Sequence, residues 1–198
     1  MPRGCSTKKL DMFGLHRSDW KISVVYASIA ALLWITLYRL NAWIFSSFQV
    51  NEYVCWIFLP AAVRLITVLL MGMPASVGLF IGTYVTCNPV TGVNVIDSIE
   101  VAILSAASPF LAVLACTKIL KLANDLHGLN VKHLAVFSLV SGVFNVALHD
   151  VFLFESNKIS DLYESSISML AGDVTGTWVV LVVAAQFLRV ISPPRKID

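Results

Sequence analysis

Long apolar stretches recur along this chain and constrain its fold more than any other feature. A helix needs about 20 predominantly apolar residues to cross the hydrocarbon core of a bilayer. Six segments meet or approach that length: about 22–45, 53–71, 74–87, 98–117, 133–154 and 166–190. The chain is 58% hydrophobic and only 13% charged, whereas soluble domains carry about 25% charged residues. The sequence therefore predicts an all-α, polytopic integral membrane protein with six transmembrane helices.

The charges between these segments predict the orientation of the chain. Lysine and arginine concentrate in the N-terminal tail (1–21), between the fourth and fifth segments, and near the C-terminal tail (191–198), while the other connections are mainly acidic. Basic connections stay in the cytoplasm, so both termini are predicted to be cytoplasmic, with the membrane domain at 22–190 between them. The first apolar run is far longer than the core of a cleavable signal peptide, so we expect it to remain as a helix.

Charge and cysteine content exclude several classes of function. The formal net charge is only +2, which leaves no broad basic face for a nucleic acid. The cysteines are Cys5, Cys55, Cys87 and Cys116, and no two of them form a CxxC pair. We therefore expect no nucleic-acid partner, no metal site and no cofactor.

Polar residues inside the predicted helices are the candidates for a functional site. An ionisable side chain in the hydrocarbon is costly unless it is paired or hydrated. The ionisable candidates are Arg39, Arg64, His149 and Asp173, and Asn145 is a neutral companion. At a helical rise of about 1.5 Å per residue, all five fall in the outer half of the predicted bundle. Arg64 and Asp173 are the expected buried pair, which either contributes to a binding site or locks helix two against helix six.

Two pairs of glycines mark surfaces where helices can approach closely. Gly78 and Gly82 form GLFIG on the third segment, and Gly172 and Gly176 form GDVTG on the sixth. Glycines four residues apart let two backbones come together in lipid. Packing between helices of one chain is the first interpretation, and homodimerisation is the second.

Two prolines fall inside predicted helices. Pro60 lies in the second and Pro109 in the fourth, and each removes a backbone hydrogen bond, so that a kink is expected. A kink at Pro60 would lie one turn before Arg64 and would change the direction of that side chain.

Three segments, taken together, resemble a known family. WIFLPAAVRLITVLLMG at 56–72, the glycine-rich stretch at 78–88 and AGDVTGTWVVL at 171–181 resemble, in order and spacing, the MASE-type membrane-associated sensor domains, above all the variant in the membrane region of hexose-phosphate sensor kinases. The matching motif positions are Pro60, Arg64, Gly172, Asp173 and Gly176. The resemblance implies a sensory module of the bacterial plasma (inner) membrane. Members of that family usually precede a signalling domain, whereas this chain ends at Asp198.

These features together favour a non-enzymatic sensory or accessory membrane module. Its polar cluster would bind a small ligand or a partner membrane protein, and a separate signalling protein would provide the output. The alternative is a small transporter or the substrate-binding subunit of one. An intramembrane enzyme is not expected, since His149 and the hydroxyls of Ser105, Ser108, Ser138 and Ser141 form no recognisable catalytic motif.

Overall fold

The computed structural model describes residues 20–50, 54–87, 94–119, 130–155 and 161–191. Within these ranges the chain is all-helical and contains no strand. The α-helices are α1 (Trp20–Ile44), α2 (Pro60–Met71), α3 (Met73–Cys87), α4 (Val95–Ile119), α5 (Val131–Glu155) and α6 (Leu162–Ile191), and a short 3₁₀ helix follows α1 at Ser46–Phe48. The tails predicted at 1–21 and 191–198 fall almost wholly outside the described residues.

Four of these helices, α1, α4, α5 and α6, are long and apolar enough to cross a membrane. Their outer surfaces carry exposed large apolar side chains, such as Leu32 on α1 and Val183 on α6. With 12 and 15 residues, α2 and α3 are only about 18 and 22 Å long. The structure confirms the all-helical prediction and supports a multi-pass membrane protein.

Contacts between helices give the direction of each one. α1 and α2 are antiparallel, since Asn41 contacts Leu59 and Trp34 contacts Arg64. The contacts between α4 and α5 and between α5 and α6 also run in reverse order, whereas α3 runs parallel to α1. We call the end of the bundle where α1 and α5 finish and α4 and α6 begin the open end. α1 begins and α6 finishes at the opposite end.

The apolar core lies towards that opposite end. Its fully buried members include Leu65 of α2, Leu79 of α3, Cys116 of α4 and Phe137 of α5. These apolar side chains pack the helices against one another through close surface contact. Most of the buried polar side chains lie between this core and the open end.

The start of α2 differs from the sequence prediction. The second helix was expected from about residue 53, but α2 begins at Pro60. Pro60 takes the first helical position, where its missing N–H is not needed and its fixed φ suits the helix. The predicted kink at Pro60 is therefore wrong, whereas Pro109 does lie inside α4.

Residues 54–59 form a non-helical segment, which we call the entry segment. Its backbone groups bond to other parts of the chain: the Leu59 N–H donates to Asn41 Oδ1 (2.8 Å), and the Phe58 N–H donates to the Gly172 carbonyl (3.1 Å). The Trp56 carbonyl accepts from Thr175 Oγ1 at 3.1 Å. Because these polar groups are paired within the protein, the segment can leave the helical conformation inside an apolar bundle.

The two glycine pairs hold different neighbours. A Cβ on Gly78 would lie 2.1 Å from the Ala27 carbonyl oxygen of α1, so GLFIG packs α3 on α1. A Cβ on Gly172 would lie 2.1 Å from the Cys55 carbonyl oxygen, and one on Gly176 would lie 2.0 Å from that of Phe58. GDVTG therefore packs α6 against the entry segment. Both glycine faces are covered within one chain.

Candidate ligand-binding site

An ion pair between α2 and α6 forms the centre of the site. Arg64 Nη2 lies 2.5 Å from Asp173 Oδ1, and the two side chains are 4% and 5% exposed. Arg64 Nη1 donates to Asn145 Oδ1 on α5, and Ser108 Oγ of α4 donates to the same oxygen at 3.4 Å. Each charge thus has a counterion, and Arg64 also has a neutral polar partner, which helps a buried pair to offset its desolvation.

Aromatic rings surround the guanidinium. The Arg64 guanidinium carbon lies 5.8 Å from the centre of the Trp34 ring and 5.5 Å from that of Phe58. Tyr38 stacks against Trp34 and meets Phe58 edge-on. A cation within about 6 Å of an aromatic face is attracted by the ring quadrupole. α1 and the entry segment therefore help to hold Arg64 in place.

Trp34 also connects the site to α3. Its indole Nε1 donates to Thr86 Oγ1 at 3.2 Å. This bond fixes the ring that faces Arg64, because the indole has only one donor and no acceptor.

His149 is one helical turn after Asn145 and extends the polar cluster towards the open end. Its Nδ1 lies 3.0 Å from the Asn145 carbonyl oxygen, and its Nε2 lies 3.3 Å from Ser105 Oγ of α4. A carbonyl can only accept, so Nδ1 carries the proton, and in the neutral ring Nε2 accepts from Ser105. Ser105 and His149 are therefore hydrogen-bonded to each other.

A cavity of about 130 Å³ lies beside these residues, and all six helices contribute to its lining. It extends from the buried Arg64 and Asp173 to Ser46 and Gln49, which are exposed next to the end of α1. Much of the remaining wall is aromatic or aliphatic and includes Tyr38, Phe58 and Met169. The arrangement is an apolar pocket with a few convergent polar groups, which is the usual form of a small-molecule site.

The structure brings together four of the five polar residues singled out in the sequence. Arg64, Asn145, His149 and Asp173 all line the cavity. Arg39 does not, because it is exposed on α1. Its predicted place in the cluster is wrong: depth was estimated from position along the helix, but successive residues on a helix point about 100° apart. Tyr38, its neighbour, faces the cavity instead.

The sequence reasoning missed several residues of the site. Trp34, Tyr38 and Asn41 line the cavity from α1, and their spacing of i, i+4 and i+7 is that of one helix face. A search of α1 for polar and aromatic residues on one helix face could have identified these three residues from the sequence. Thr83 of α3 carries no comparable signal, because nothing near it in the sequence distinguishes it from other membrane threonines.

No protein-family model, curated protein or solved structure matches this chain. The resemblance to MASE-type sensor domains therefore depends on its three sequence segments alone.

Proposed function

We propose that this protein is a non-enzymatic membrane module, sensory or accessory, that binds a small ligand in the cavity beside Arg64 and Asp173. The observation that supports the proposal is that all six helices line one cavity around a buried ion pair. A molecule in that cavity contacts helices from both ends of the sequence. Its binding can therefore change how the helices pack against one another, which is what a sensor needs.

The proposed topology has six crossings with both termini in the cytoplasm of a bacterium, in its plasma membrane. The entry segment supports the second crossing, because it lengthens the path of the chain beyond the roughly 18 Å of α2 alone. The open end would then face outwards, so that Ser46→Cys, in a cysteine-free background, reacts with an impermeant maleimide added to intact cells. Reaction only after permeabilisation would reverse the orientation.

The output of such a module is proposed to pass to a partner membrane protein or a separate signalling protein. Exposed apolar side chains on the outer faces, such as Val183 and Phe187 of α6, contact either lipid or such a partner. A homodimer is the other form of assembly, and it would have to use faces other than the two glycine pairs, which are covered.

The first test separates a binding role of the ion pair from a purely structural one. Arg64→Gln or Asp173→Asn alone leaves a buried charge unpaired, and we expect each to lower stability by about 3–5 kcal/mol. The double variant removes both charges and is expected to regain most of that stability. Thermal unfolding of the purified proteins in nanodiscs measures these changes. Arg39→Gln is the control, since it removes an exposed arginine that lies outside the site.

Binding is then measured with three probes of one-ring size: benzyl alcohol, benzoate and benzylamine. We expect at least one to bind the wild type and Arg39→Gln, as detected by ligand-observed NMR against protein-free nanodiscs. The folded double variant should lose that binding at least tenfold. If the double variant folds and binds every probe like the wild type, the ion pair has a structural role only. If no probe binds the wild type, the binding proposal is wrong.

A small transporter, or its substrate-binding subunit, is the second candidate. The entry segment favours it, because a discontinuous helix beside a binding cavity is a recurring feature of transporters, and Val54, Cys55 and Phe58 of that segment line the cavity. Uptake of labelled benzoate into proteoliposomes, above that into protein-free vesicles and abolished in the double variant, would support transport. Equal uptake in both kinds of vesicle argues for the sensory role.

A further inference from the structure

The hydroxyl of Thr83 points to the chemistry of the occupant. Thr83 is 2% exposed, lines the cavity, and its Oγ1 has no hydrogen-bond partner within the described part of the chain. Membrane threonines usually donate to the carbonyl four residues earlier, as is seen for Thr67, Thr86, Thr117 and Thr177. Thr83 makes no such bond, so its buried hydroxyl has a hydrogen-bonding capacity that no described residue uses.

The charges around the cavity are already balanced. Among the described lining residues, the ones with a full charge are Arg64 and Asp173, and they neutralise each other. A charged occupant would have to compete for one partner and leave the other unpaired in an apolar setting, which is strongly unfavourable. The site is thus suited to a molecule with no net charge.

The size and walls of the cavity limit the occupant further. An apolar cavity of about 150 Å³ is known to accept benzene, and this one has about 130 Å³. The rings of Trp34, Tyr38 and Phe58 line it, and aromatic rings favour stacked or edge-on contacts with another ring. A single ring or a compact aliphatic group of that size fits.

We infer that the ligand is an uncharged molecule of one-ring size that carries a single hydroxyl or amide group. Thr83 binds that group through its Oγ1. This inference rests on the proposed binding function and specifies its ligand class. Hydroxyl and amide groups both donate and accept hydrogen bonds, as the Thr83 hydroxyl does, so the pairing is possible in either direction.

This ligand class bears on the choice between sensor and transporter. Small uncharged molecules with mostly apolar surface enter the hydrocarbon region without help, because their transfer from water is favourable. Such molecules do not need a carrier in order to cross the membrane. A receptor, in contrast, is still needed to detect them. The inference therefore favours the sensory role.

The test compares benzyl alcohol with toluene, benzoate and benzylamine, all of similar size, on the full chain in nanodiscs. For benzyl alcohol we expect a dissociation constant at least tenfold lower than those of benzoate and benzylamine. Thr83→Val, which keeps the shape but removes the hydroxyl, should weaken benzyl alcohol about tenfold and leave toluene unchanged. Thr67→Val is the matched control, because Thr67 is equally buried but bonds to the carbonyl of Val63 in its own helix. Thr83→Ser, which restores a hydroxyl, should restore the affinity.

The outcomes separate this inference from the proposed function. Tighter binding of benzoate or benzylamine overturns the uncharged class but leaves a binding site in place. Equal affinity of benzyl alcohol for the wild type and Thr83→Val overturns the role of Thr83. Failure of every probe to bind the wild type overturns both the inference and the binding function.

Discussion

The two glycine pairs have the same spacing but very different neighbours. Gly78 and Gly82 bring α3 against another regular helix, α1. Gly172 and Gly176 bring α6 against the non-helical backbone of the entry segment. A helix that packs on a helix can adjust by a small rigid-body shift. A helix that packs on a non-helical segment, and is also hydrogen-bonded to it, has far less freedom.

This difference ties one glycine pair to the ion pair and the other to the contact between α1 and α3. The entry segment carries Phe58, which faces Arg64, and leads directly into α2. GDVTG therefore positions the ion pair twice, through Asp173 within the motif and through the segment that precedes Arg64. GLFIG acts on the cavity through the placement of α3, which carries Thr83, and through Gly82, whose Cβ would lie 2.9 Å from Trp34 Cδ1.

The largest effect is expected for Gly176→Ala. Its Cβ would lie 2.0 Å from the Phe58 carbonyl oxygen, 2.3 Å from the carbonyl carbon and 2.8 Å from the Leu59 nitrogen, all of them backbone atoms. We expect a loss of about 3 kcal/mol or more, at the upper end for overpacking, together with loss of probe binding in the protein that still folds. Gly142→Ala is the control, because its closest contact is the flexible tip of Leu170 at 2.8 Å.

Gly78→Ala is expected to be less severe and to leave the site intact. Its Cβ would meet the Ala27 carbonyl oxygen at 2.1 Å, but α1 and α3 can separate slightly as whole helices. We predict a stability loss of about 1–3 kcal/mol in thermal unfolding, with probe affinity within twofold of the wild type. If Gly78→Ala lost affinity as completely as Gly176→Ala, the distinction between the two pairs would be wrong.

The smallest effect is expected for Thr175→Val. The change removes the hydroxyl hydrogen that the Trp56 carbonyl at 3.1 Å shares with the Ala171 carbonyl at 2.7 Å and should cost about 1 kcal/mol, with a modest loss of affinity. Thr177→Val is matched to it, because Thr177 bonds to the Asp173 carbonyl of its own helix. Equal losses of affinity in the two variants would show that the bond between α6 and the entry segment does not contribute to the site.

The regular helices were largely predictable, because length and apolar content alone determine which segments can cross a bilayer. The predicted α5 at 133–154 and the observed Val131–Glu155 differ only at their ends. The entry segment was not predictable in the same way, since VCWIFL at 54–59 is as apolar as a helix interior. Its backbone bonds to Gly172 and packs on Gly176, which lie far away in the sequence.

The charged residues of the site were predictable, because a charge inside a membrane is energetically costly. The residues whose position depends on how the helices pack were not. Arg64 and Asp173 stood out because unpaired charges are rarely tolerated in lipid. Arg39 stood out for the same reason and yet is exposed. Its position along the helix gave its depth in the membrane but not the direction of its side chain. Thr83 could be found only once its missing bond to its own helix was visible.

The hydrogen bonds of the entry segment have a consequence for biosynthesis. The Phe58 N–H and the Trp56 carbonyl obtain their partners from Gly172 and Thr175, which the ribosome adds long after α2 has been made. Until α6 arrives, those backbone groups must stay with water, lipid headgroups or the insertion machinery, since bare hydrocarbon offers them no partner. The entry segment therefore completes its folding only after α6 is in place.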